Sequence, residues 1–180
     1  MDRKSLIALL EKYETPDASE RPFGSLFLSL LTHPDAFQRH HLPGHITGSA
    51  WITDRYGKFA LLTQHAKLNK WLQPGGHADG NENVLEVALR ESTEETGLTE
   101  FDIIESGIFD IDIHTIPARD DFPEHLHYDI RFLLQVDQQM PLRLTKESHA
   151  LAWVELSKLS ELTGNNESIM RMARKSNRSF

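Results

Sequence analysis

The stretch that most restricts the fold runs from Pro74 to Leu98. It opens on Pro74-Gly75-Gly76, a strong backbone breaker. It then enters the clearest helix of the chain, expected over Asn83 to Glu95. Asn83 can cap that helix, and Glu86 stands three positions on, as in a capping box. Gly97 suits the left-handed position that ends a helix, with Leu98 folding back over the last turn. Leu85, Ala88, Leu89 and Ser92 fall on one side and are expected to face the core. Glu91, Glu94 and Glu95 stand at i, i+3 and i+4, so their carboxylates converge on another side. A charge run on a helix is usually a solvated face. A merely soluble helix, however, has no need of the Gly-rich loop before it. Converging carboxylates are what a hard divalent cation takes, and the cation removes their repulsion. The donors are oxygen without sulfur, which favours magnesium or manganese over zinc.

The rest of the chain supplies the layers around this helix. Leu6, Leu9 and Leu10 repeat at helical spacing, and Gly24 to Leu31 reads as a second short helix. Strands are expected over His45 to Thr53 and Lys58 to Gln64, with the turn Asp54-Arg55-Tyr56-Gly57 between them. Further strand-like runs cover Ile103 to Ile116, Leu126 to Val136 and Leu151 to Leu156, and a last helix covers Asn166 to Lys175. Strands around one central helix predict a mixed α/β sandwich. No repeat or linker divides the chain, so residues 1–180 read as a single domain, with 1–40 a helical extension and 44–163 the core.

Composition narrows the function. The formal net charge of -8 argues against nucleic acid as the main partner, because phosphate backbones select clustered Lys and Arg. An acidic protein can still take an anionic substrate through a bridging metal. There is no Cys, which excludes disulfides, thiolate catalysis and Cys-based zinc sites. No apolar run reaches membrane-spanning length, and the first residues are not a secretory signal, so the expected location is the cytoplasm, away from membranes.

The spacing Gly76, Glu82, then Arg90-Glu91-Ser92-Thr93-Glu94-Glu95-Thr96-Gly97-Leu98 resembles the Nudix box. Every fixed Gly, Glu and Arg of the box is filled. Ser92 stands where the family usually has an aliphatic residue, on the buried face, so the departure concerns packing. The resemblance implies a Nudix-type α/β/α sandwich with a mixed sheet and hydrolysis of a diphosphate linkage in a nucleoside diphosphate derivative. It implies that Glu91, Glu94 and Glu95 ligate Mg2+ or Mn2+, with Glu91 or a downstream acid placing the attacking water. Arg90 would hold a neighbouring carboxylate in its ligating rotamer. Gly76 would turn the loop and present its carbonyl to the metal, and Glu82 would brace the loop against the helix. Glu147, six residues before Trp153, is the first candidate for a catalytic base in the last loop, and Glu124 is the second.

The histidines stand outside the box. His125, His127, Asp129 and Arg131 alternate with Leu126, Tyr128, Ile130 and Phe132, so they share a strand face. Asp110, Asp112 and His114 alternate likewise, and a hairpin across Pro117 to Glu124 would join the two polar faces. Such a face is either a solvated sheet surface or a substrate or second-metal site. His77, next to Gly76, is a candidate substrate contact, whereas His40, His41, His45, His65 and His149 carry no assignment. Trp71 either stacks on a base or packs in the core. The wider phrase Trp71 to His77 with His125-Leu126-His127 resembles a bacterial Nudix branch and names no substrate. An isomerase-like Nudix protein would need a catalytic Cys. A catalytically silent nucleotide sensor is the alternative, though here the acids are complete. The extension at 1–40 either covers the edge of the site or forms a dimer interface.

Overall fold

Strand β1 (Gly44–Asp54) is buried along its whole length, because it has neighbours on both edges and layers on both faces. One edge pairs in parallel with β7 (His125–Val136), from Gly44 opposite Leu126 to Asp54 opposite Val136. The other edge pairs antiparallel with β4 (Gly75–His77) and with β2 (Phe59–His65). β2 carries β3 (Lys70–Leu72) and β8 (Ser148–Glu155). The far edge of β7 takes β5 (Asp102–Ile103) and β6 (Asp110–Ile116). The computed structural model describes residues 1–66, 68–104, 107–119, 122–146 and 148–177.

Alternation along β1 sends its residues into two cores. Ile46, Ala50 and Ile52 face helix α3 (Val84–Thr96) together with α1 (Arg3–Glu11) and α2 (Phe23–Leu30), where Leu6, Leu10, Phe27, Val84 and Val87 are buried. Trp51 points the other way, with Leu133, towards α4 (Leu159–Thr163) and α5 (Glu167–Ser176). The result is a mixed sheet between helical layers, the expected α/β/α sandwich. α1 and α2 pack into the same core as α3, so the first forty residues are joined to the body by apolar burial.

Most elements lie within a residue or two of their expected bounds, and the expected β6–β7 hairpin forms. Its polar faces meet in register, with Asp110 opposite Arg131, Asp112 opposite Asp129 and His114 opposite His127. Three local expectations change. The run from Ile103 to Ile116 breaks into β5 and β6. The breaker at Pro74-Gly75-Gly76 contains β4, because glycines without side chains let this strand lie against β1. The capping box does not form. Asn81 intervenes, accepting from the Asn83 amide at 2.9 Å and donating to Glu86 at 3.4 Å, and the Asn83 side chain makes no cap bond. Gly97 does close α3 with φ of 77°. Among the described residues no helix is long and apolar enough to cross a membrane.

Candidate active site

α3 presents its acids against β4. Glu91 and Glu95 are buried, while the Glu94 side chain is 55% exposed. The buried side of α3 thus comprises Val84, Val87, Ala88, Glu91, Ser92, Glu95 and Thr96, with Leu85 and Leu89 only partly covered. Ser92 is fully buried, and its hydroxyl donates to the Ala88 carbonyl at 2.7 Å, which satisfies the polar group that replaces an aliphatic residue. Gly76 lies directly over Glu91: a Cβ there would stand 2.3 Å from the carboxyl. The Gly75 amide donates to Glu95 Oε1 at 2.9 Å. Arg90 pairs with Glu91 at 2.8 Å and Glu94 at 3.0 Å, and donates to the His77 carbonyl at 3.1 Å. One guanidinium therefore fixes two carboxylates and the strand facing them. The side chains gathered here offer carboxylate oxygens, a donor type that fits a hard divalent cation.

Glu82 is placed differently from expectation. Its carboxylate accepts from the Arg3 amide at 3.1 Å and from Arg3 Nε at 2.9 Å. Arg3 also donates to the carbonyls of His33 and Pro34. Glu82 thus ties the loop before α3 to the N-terminal helix, not to α3.

On the opposite face of the sheet, Asp129 and Arg131 are corrected from substrate contacts to structural groups. Both are almost fully buried. Arg131 pairs with Asp129 at 2.7 Å, Asp110 at 3.0 Å and Asp112 at 3.1 Å, and Asp129 also accepts from Thr47, Ser49 and Gln73. α5 covers this network, with Arg171 on Asp110 and Asp112, and Lys175 on Asp110 and Glu20. Burial alone would raise the Asp110 carboxyl; the Arg171 hydrogen bond and the Arg131 and Lys175 charges hold it below the usual range. These ion pairs join α5 to β6 and β7.

His125 and His127 do meet other histidines. His45 lies opposite His127 across β1 and β7, and His77 lies opposite Thr47 on the same face. The four rings of His45, His77, His125 and His127 each offer a nitrogen within 4.8 Å of the others. Burial pushes His45 and His77 down to about 4, so both are neutral near pH 7. His114 touches His127 edge-on from β6 and pairs with Asp112. His45 carried no assignment from sequence, because only the parallel pairing of β1 and β7 brings it here.

Glu147 falls outside the described residues. Glu124 is exposed just before β7. Trp71 packs into the second core and borders a cleft that also includes Trp153 and Phe59.

The sandwich, the loop at Gly76 and the acid-bearing α3 together define a class. A family model described as NUDIX domain matches residues 44–173, and the chain belongs to the Nudix hydrolase family, whose members cleave diphosphate linkages in nucleotide derivatives. Among its relatives is the asymmetrical bis(5'-nucleosyl)-tetraphosphatase of Rattus norvegicus, 30% identical over 127 residues, 70% of this chain and 78% of the relative. The m7GpppN-mRNA hydrolase NUDT17 of Xenopus laevis is 32% identical over 121 residues, covering 60% of this chain and 40% of that one. The solved binary complex of a C. elegans Ap4A hydrolase shares the fold with a TM-score of 0.58 at 22% identity, over 73% of this chain and 96% of that one.

Proposed function

We propose that the chain is a Mg2+- or Mn2+-dependent hydrolase that cleaves the diphosphate linkage of a small nucleoside diphosphate derivative by water attack at phosphorus. The observation that carries this reading is the seating of Glu91 beneath Gly76, with Arg90 holding Glu91, Glu94 and the facing strand together. Glu91, Glu94 and Glu95, with the Gly76 carbonyl, would hold the cation. A cation bound there neutralises phosphate charge and eases deprotonation of water. Arg90 keeps the carboxylates in place before substrate arrives, so little reorganisation is left for the reaction. Glu91 or Glu147 accepts the proton of the attacking water.

Dinucleoside polyphosphates head the substrates to test, because the rat relative and the C. elegans neighbour are named for hydrolysing them. The net charge of -8 supports a nucleotide partner over nucleic acid. The same reading keeps residues 1–180 as one domain, a reading supported by the burial of α1 and α2 in the main core, and places the protein in the cytoplasm. The silent-sensor alternative is less favoured, since no acid of the box is missing.

The test is a panel of dinucleoside polyphosphates, nucleotide sugars, ADP-ribose and nucleoside triphosphates, with Mg2+ and then Mn2+, following release of nucleotide and phosphate. Turnover that requires the metal supports the reading. Nucleotide binding by calorimetry without turnover on any member would replace it with the sensor.

A further inference from the structure

We infer that His45, His77, His125 and His127 form a second metal centre, distinct from the carboxylate site, that takes a zinc-class transition ion. The four residues come from three adjacent strands and converge on one face of the sheet, each offering a ring nitrogen within 4.8 Å of the rest. A chance gathering of surface histidines would be wet. Here His45 is 1% exposed and His125 is 8% exposed.

The hydrogen bonds orient the rings for a ligand. His125 Nδ1 donates to the Pro123 carbonyl at 2.9 Å, and His45 Nδ1 donates to the His41 carbonyl at 3.3 Å. A carbonyl can only accept, so in both rings the proton sits on Nδ1 and the Nε2 lone pair is left for the cluster. This is the arrangement that metal-bound imidazoles adopt, with the far nitrogen tied to backbone. His45 Nε2 is buried and has no hydrogen-bond partner among the described residues. A buried acceptor without a partner is costly, and a cation at the centre of the cluster satisfies it. His125 Nε2 and His127 Nε2 lie 3.3 Å apart. Zinc–nitrogen bonds of 2.0–2.1 Å set tetrahedral ligand nitrogens about 3.4 Å apart. That pair already has the required spacing, and small ring rotations bring in the other two.

Donor chemistry separates the two centres. Imidazole nitrogens suit zinc and its transition-metal neighbours, whereas magnesium selects oxygen. Four nitrogens close a tetrahedral shell, which is the pattern of a structural ion. Its position gives it a task. Alternation along β4 sends Gly76 towards Glu91 and His77 towards the histidines, while Arg90 grips the His77 carbonyl. An ion on His77 therefore staples β4 to β1 and β7 and positions the strand that covers the glutamates.

The experiment uses the full chain, stripped with chelator and checked for folding by circular dichroism, then titrated with Co2+ alone and no nucleotide. We expect one equivalent of Co2+ to bind with the intense visible absorption of a tetrahedral site. One equivalent of Zn2+ should displace it, and a large excess of Mg2+ should not. His127→Gln should weaken Co2+ binding at least a hundredfold, whereas Glu94→Gln should retain it. Should His127→Gln lose its fold, His77→Asn, at a less buried ring, carries the same expectation. Absence of Co2+ uptake by the wild type overturns the proposal. So does displacement by Mg2+, or uptake that survives the histidine changes and disappears in Glu94→Gln. Each readout is metal binding without substrate, so it stands or falls independently of the hydrolase assignment.

Discussion

The Glu91 carboxylate occupies the space that a side chain at Gly76 would need, 2.3 Å from an ideal Cβ. Gly76→Ala must therefore move either the strand or the acid. Displacing the acid by about 1 Å is enough to lower turnover by about a hundredfold. The crowding should also cost about 1–3 kcal/mol of stability. Steady-state kinetics beside a thermal melt check both; an alanine variant with wild-type turnover would show that Glu91 has no fixed place in the chemistry.

Arg90 contacts Glu91, Glu94 and the His77 carbonyl with one guanidinium. Arg90→Ala should reduce kcat about 10–100-fold, the usual cost of removing a group that orients ligands. Because the side chain is 42% exposed, stability should change by less than about 1 kcal/mol. Arg90→Lys should restore little, since a single ammonium does not reproduce a fork that reaches three acceptors. A Lys variant with full activity would reduce Arg90 to a mere positive charge.

Acid stability tests the network under α5. The Asp110 carboxyl, held below its ordinary value by Arg171, Arg131 and Lys175, stabilises the fold fully above the unfolded carboxylate value of about 3.9. That contribution is lost as pH falls through the lower folded value. Melting temperature should thus hold from neutral pH down to about pH 5 and drop steeply below about pH 4. Arg171→Met removes a cation bonded to both Asp110 and Asp112, and should cost about 3–5 kcal/mol at neutral pH. It should also move the acid-induced loss to higher pH. A variant with the wild-type acid profile would show that these contacts do not hold the carboxylates ionised.

Features set by neighbours in sequence were legible. The end of α3 follows from Gly97, and the meeting of Asp110 and Asp112 with Asp129 and Arg131 follows from alternation across one hairpin. Alternation says which residues share a face, but not what covers it. Arg131 and Asp129 are buried because α5 lies over this face, with Arg171 and Lys175 on the neighbouring Asp110. His45 joins His127 only through parallel pairing between distant strands, and Glu82 finds Arg3 across 79 positions. Neither distance leaves a periodic signal in the chain. The capping box failed for a local reason, because Asn81 competes for both Asn83 and Glu86.

Glu94 offers the most direct test of the central claim, that the acids of α3 run metal-dependent hydrolysis. Its side chain is 55% exposed and pairs with Arg90, itself 42% exposed, so Glu94→Gln should leave the fold and its melting temperature almost unchanged. The measurement is kcat against Mg2+ and Mn2+ concentration for wild type and Glu94→Gln, on the substrate the panel identifies. The account predicts metal-dependent turnover in the wild type and a loss of at least a hundredfold in the folded variant. Wild-type turnover in Glu94→Gln, with an unchanged metal dependence, would contradict it.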